Sequence, residues 1–138
     1  MTRSNLENLN LNEMAETIFN SNKEVGWWSE EDISNARMKT PENKYTKQGA
    51  MLIASKLALV HSEVSEALEG TRKGLKDDHL PHRDMFVVEL ADTVIRILDL
   101  CGARGLDIDG AVKEKYAYNK QRADHKIENR SAAGGKTI

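Results

Sequence analysis

The sequence has one cysteine, two prolines and aromatic residues at only 5% of its 138 positions. A single cysteine excludes an internal disulfide. Cys101 stands in the apolar run ILDLCGARG and reads as a small core residue in a reducing, cytosolic setting. No apolar run approaches the roughly 18 residues of a membrane span, and the opening MTRSNLENLN is too polar for a signal peptide. An excess of one charge is missing too. Twenty basic residues face 22 acidic ones, a net charge of -2, which leaves no basic footprint for nucleic acid. The Gly-rich phosphate loop G-x-x-x-x-G-K-S/T, the hydrolase elbow G-x-S-x-G and the dinucleotide fingerprint G-x-G-x-x-G are all absent, so the common nucleotide and hydrolase scaffolds are set aside. These absences predict a cytoplasmic all-α protein with no membrane or nucleic-acid partner. At this length it has one domain, over residues 1–126, followed by a tail over 127–138.

Hydrophobic spacing predicts four or five helices. Leu11, Met14, Ala15, Ile18 and Phe19 follow the i, i+3, i+4, i+7 rule of a first amphipathic helix that ends near Val25 or Gly26. Residues 1–10 are polar and read as fraying. Trp27 and Trp28 come next, and Ser29 can cap a short helical turn. After the polar loop MKTPENKYTKQG, a long helix runs from Thr46 or Lys47 to about Gly70. Its apolar stripe is Ile53, Leu57, Val60, Val64 and Ala67. The following helix is predicted to begin near Asp78, with Pro81 in its first turn, and to end at GARG. Asp107 caps a last helix, on which Ile108, Ala111, Val112, Lys115, Tyr116, Asn119 and Arg122 share a face. No helix is expected from about Lys126 onward.

Two acidic pairs organise the chain. Glu63/Glu66 and Glu89/Asp92 each have their acids three residues apart, so each pair projects from one face of its helix. If the chain folds back near residues 77 and 78, opposed residues have numbers that add to a constant. Glu63 with Asp92 and Glu66 with Glu89 give the same total, 155, so the pairs face each other at one level. The second pair lies in an apolar context: between Phe86 and Leu98 the only charged residues are Glu89, Asp92 and Arg96. A helix apolar nearly all round is expected to be central and buried. Two like charges about 4 Å apart repel by roughly 4 kcal/mol at an effective dielectric of about 20, and a domain has only about 5–15 kcal/mol of net stability. A cation between the acids is therefore expected. Oxygen-only ligands favour Mg²⁺, with Mn²⁺ as an alternative, over zinc.

Each candidate has a plainer reading. A lone E-x-x-E is usually a solvated pair, and only the second pair in register reverses that preference. Glu69, nearer the helix end, reads as a surface acid. Lys115, Asn119 and Arg122 form a donor stripe that either covers the core edge or holds polyphosphate oxygens. Trp27 and Trp28 either pack at a helix end or offer one ring to a nucleobase. His61, His79 and His82 complete no ligand set. A di-iron carboxylate bundle is disfavoured because such sites use Glu-x-x-His pairs. A helical binding or regulatory module with a structural cation is the non-catalytic alternative.

The acidic pattern, E-x-x-E, 22 intervening residues (67–88) and E-x-x-D, resembles the signature of the MazG-like all-α nucleoside triphosphate pyrophosphohydrolases, to which dimeric dUTPases and dCTPases are related. GWW, LALVHSEVSEALEGTRKG, ELADTVIRILDL and YNKQRADHKIENRSAAGGK extend the resemblance over most of the chain from Gly26. It implies a helical bundle completed by formation of a homodimer or homotetramer, and Mg²⁺-dependent cleavage of a (deoxy)nucleoside triphosphate to monophosphate and pyrophosphate. Position by position, it makes Glu63, Glu66, Glu89 and Asp92 the metal ligands, with Glu63 or Glu66 taking the proton of the attacking water. It turns Lys115, Asn119 and Arg122 toward phosphates and sugar, turns Trp27 or Trp28 toward the base, and closes the C-terminal stretch over a site.

Overall fold

Helix starts follow the caps that the sequence supplies. The structure, a computed structural model, describes residues 6–122 and 127–135. A short 3-10 turn over Leu6–Asn8 precedes α1 (Leu11–Glu24). Ser29 then opens α2 (Glu30–Arg37). Its hydroxyl accepts from the Asp32 N–H while the Asp32 carboxylate accepts from the Ser29 N–H, a reciprocal cap that sustains eight residues where the sequence suggested one turn. Thr46 accepts from the Gly49 N–H at 3.1 Å and starts α3 (Lys47–Lys73), which stops at Gly74 in the left-handed conformation. The next helix, α4, is Met85–Arg104, and Asp107 caps α5 (Ile108–Gln121) through the Gly110 N–H.

Two expected boundaries move. α4 begins at Met85, not near Asp78, because the buried Asp77 carboxylate takes the N–H groups of His79 and Leu80, at 2.9 and 2.7 Å. Those hydrogen bonds close a turn in place of a helix. The Asp77 N–H to Arg83 carbonyl and Met85 N–H to Leu75 carbonyl bonds then tie the two ends of the link together. In the C-terminal stretch, where no helix was expected, Ile127–Arg130 forms a one-turn α6. The first five residues, residues 123–126 and residues 136–138, including Lys136 of the tail, lie outside the described ones.

Among the described residues all regular structure is helical, and no helix is long and apolar enough to cross a membrane. Packing divides the chain into two units, Asn12–Leu106 and the combination of Met1–Leu11 with Asp107–Ile138. In the second unit, Lys113 Nζ donates to the Leu9 carbonyl and the Leu11 N–H to Asp109 Oδ1, both at 2.9 Å.

In the first unit α3 and α4 make the most extensive helix pair, with α2 against both. The core is Phe19, Trp28, Ile33, Ala36, Leu100 and Ala103, with Leu52 packed against it. Phe19 and Trp28 meet edge to face, centroids 6.0 Å apart. The end of α2 and the loop after it are pinned to the end of α4: Arg37 Nε donates to the Ala103 carbonyl at 2.7 Å, and Arg104 lies over the ring of the loop's Tyr45, as does Lys39 of the same loop.

The buried face of α3 follows the apolar stripe read from spacing only in part, at Ala67 and at the half-buried Ile53 and Val60. Glu63, Ala67 and Gly70 are buried, whereas Leu57 and Val64 are exposed. Similarly, α4 is not covered all round, for Phe86, Val87, Leu90, Val94, Ile95 and Ile97 are all exposed on the single chain. Close approach of the two helices sets this seam. A methyl at Gly70 would lie 2.9 Å from Met85 Cγ and 3.1 Å from the Phe86 nitrogen, so the missing side chain lets α3 rest directly on the Met85 side chain and the first turn of α4.

Candidate metal centre

The contact of Gly70 with Met85 also fixes the register of the hairpin. Their numbers add to 155, the total at which Glu63 faces Asp92 and Glu66 faces Glu89. The structure brings three of the four acids together. Glu63, Glu89 and Asp92 each offer a carboxylate oxygen within 4.8 Å of the other two, the only such group of three or more His, Cys, Asp or Glu side chains among the described residues. Glu66 stands exposed at the rim, close enough for its charge to act on Glu89.

Burial and mutual repulsion divide the protons unequally. Glu89 is only 8% exposed, and burial together with the neighbouring Glu63 and Glu66 carboxylates pushes its pKa from the ordinary 4.5 up to about 8. Asp92 is also raised, by burial and by the Glu63 charge, although Arg96 opposes the rise. Glu63 goes the other way: burial would raise it, but its hydrogen bond and charge pairing with Arg96 hold it low. In the ionised form Glu89 Oε2 is a buried acceptor that no donor reaches. A buried acceptor of this kind is costly unless something meets it. An all-carboxylate donor set with one oxygen left over fits a hard divalent cation.

Arg96 is the residue that spacing alone left without a role. One turn beyond Asp92, it reaches across to α3, and its Nε donates to Glu63 Oε1 at 2.6 Å. Asp99 was missed altogether. It continues the polar line of α4 at the 3-4-3 spacing of Glu89, Asp92, Arg96 and Asp99, a signal that the sequence contains. Its buried carboxylate accepts the Trp28 indole N–H on both oxygens, at 3.1 and 2.9 Å, and the Asn22 amide at 3.0 Å.

That bond separates the two tryptophans. Trp28 is 3% exposed and enclosed by Phe19, Asp99 and the Lys56 ammonium, which sits 4.1 Å from its ring centre. Trp27 is 56% exposed. The donor stripe lies in the other unit. There Lys115 is exposed with its ammonium 4.8 Å from the Tyr118 ring, Asn119 is half-buried with an unpartnered Oδ1, and Arg122 is the C-cap residue just past α5. Glu69 is a half-exposed partner of Arg72 and Lys73, and His61, His79 and His82 are exposed. Comparison of the chain with family models, curated proteins and solved structures finds no match.

Proposed function

We propose that the chain is a divalent-cation-dependent nucleoside triphosphate pyrophosphohydrolase of the MazG-like kind, with Mg²⁺ as its cation. The observation that carries this reading is the carboxylate cluster at the α3/α4 seam, with Glu89 Oε2 buried and unpartnered in it. Glu63, Glu66, Glu89 and Asp92 would hold the cation. When bound, such an ion offsets phosphate charge and acidifies a coordinated water. The chain's own groups divide the remaining work. Glu89, whose burial among acids favours the protonated form, would give its proton to solvent on serving as a ligand. Glu66, exposed at the rim, has the access to water that a general base needs, whereas Glu63 is held low by Arg96 and is the poorer proton acceptor. Trp27 offers an open ring for the base, while Trp28 anchors the core from which it projects. Lys115, Asn119 and Arg122 supply donors of the kind that phosphate and sugar oxygens require.

A panel of canonical and modified nucleoside triphosphates, assayed for pyrophosphate release with Mg²⁺ and with chelator, tests the reading. Release that needs the metal is the expected result. Binding of a triphosphate without product would instead favour a regulatory module.

Association with further copies belongs to the same proposal. Leu57, Val64 and Leu68 share one side of α3, as Val87, Leu90, Val94 and Ile97 share one side of α4, and all are exposed on the single chain. A homodimer or homotetramer covers them. Val94→Asp is expected to shift the sedimenting species to the monomer at micromolar concentration, since an isolated charge does not enter an apolar contact unpaired. A wild-type protein that sediments as a monomer refutes this part.

A further inference from the structure

Glu63 already has a cation beside it. Arg96 donates through Nε to Glu63 Oε1 at 2.6 Å, its side chain is 27% exposed, and that of Glu63 is 10% exposed. The pair is therefore partly withdrawn from water, which screens it less than a surface pair. Asp92, one turn before Arg96 on the same helix, feels the same guanidinium. A carboxylate has room for more than one partner, yet a guanidinium and a divalent ion placed against the same Glu63 repel each other. An arginine cannot escape this by losing its proton. Metal entry has to stretch, turn or displace the Arg96 contact.

We infer that Arg96 is a built-in counter-charge that competes with the divalent cation for Glu63, so that the chain holds its cation more weakly than the carboxylates alone would. The inference rests on the carboxylate cluster being a cation site. It makes Arg96 a counter-ion rather than a ligand: it occupies Glu63 Oε1 in the metal-free chain and yields when a stronger cation arrives. A purely structural arginine has the opposite signature, because its loss would loosen the carboxylate cluster and weaken cation binding.

The experiment is calorimetric titration of Mn²⁺ into the full chain without nucleotide, for wild type, Arg96→Met and Glu89→Gln, with melting temperatures in chelator and in Mn²⁺. Methionine keeps much of the stem's apolar cover and removes the charge. Arg96→Met is expected to bind Mn²⁺ about tenfold tighter than wild type, the low end of what one neighbouring charge does to a carboxylate. It is also expected to melt lower in chelator and to gain more from Mn²⁺. Binding that is equal or weaker in Arg96→Met, while wild type binds and Glu89→Gln does not, overturns the role of Arg96 and leaves the cation site standing. Absence of binding in wild type overturns both. If Arg96→Met does not fold in chelator, Arg96→Lys keeps a charge but loses the fork. It should bind about threefold tighter than wild type, and no tightening there overturns the inference.

Discussion

Glu89→Gln is expected to lower Mg²⁺-dependent pyrophosphate release at least about a hundredfold, since loss of even an outer partner of a metal ligand costs roughly 10–100-fold. The same change is expected to stabilise the metal-free protein at alkaline pH. Both effects come from one group. Glu89 is buried among Glu63, Glu66 and Asp92, and its folded pKa of about 8 lies above the ordinary 4.5. The folded chain thus binds more protons than the unfolded chain between those two values, and stability falls as pH rises through that window. The contribution is fully present below about pH 4.5 and is lost above about pH 8. Glu63, whose pKa is lowered, acts in the opposite sense and in the acid range, so it does not offset the loss. Glutamine keeps the shape, cannot ionise and cannot serve as an anionic ligand. Melting curves in chelator at pH 6 and pH 9 should show wild type losing stability that the variant retains. Parallel curves, or a variant with undiminished turnover, would remove Glu89 from the centre of the site.

Asp99→Ala is expected to destabilise the fold by about 3 kcal/mol, because it strips the acceptor from a buried indole N–H and from the Asn22 amide at once, and hydrogen bonds to a charged group contribute about 1.5–3 kcal/mol each. Against a net stability of about 5–15 kcal/mol that loss is large. Asp99→Asn keeps an oxygen for Trp28 and should recover about half of it. Urea unfolding followed by tryptophan fluorescence measures both. Trp28 is buried and Trp27 exposed, so the Asp99→Ala native baseline should also move toward that of a solvated ring. A midpoint unchanged from wild type would mean that the Asp99–Trp28 contact contributes nothing net. Function is expected to follow through position, since Trp28 is the anchor beside the exposed Trp27.

Much of the acid cluster was legible beforehand because it depends on arithmetic that a hairpin obeys. The 3-residue spacing within each pair and the shared total of 155 predict four carboxylates at one level; the approach of Gly70 to Met85 keeps that register, and Glu63, Glu89 and Asp92 meet while Glu66 stays exposed. Caps at Ser29, Thr46 and Asp107 were legible for a similar reason: a side-chain oxygen one position before a helical run meets the free N–H groups of the first turn. The start of α4 was not. Spacing put it near Asp78, whereas the neighbouring Asp77 closes a turn through His79 and Leu80, held between the Lys76–Asp84 and Leu75–Met85 contacts that flank it.

Local spacing by itself thus determined the helical class of the chain, most helix ends and which acids share a level, since each follows from hydrogen-bond geometry over a few residues and from the period of the helix. Tertiary structure decided the face of α3 that is buried, the exposure of α4's apolar side, the enclosure of Trp28 by Asp99, and the pairing of Arg96 with Glu63 in place of solvent. The physical reason is that these outcomes depend on what stands opposite. A glycine allows close approach, a carboxylate holds an indole and a guanidinium crosses a seam, and no count of apolar positions along one helix carries that information.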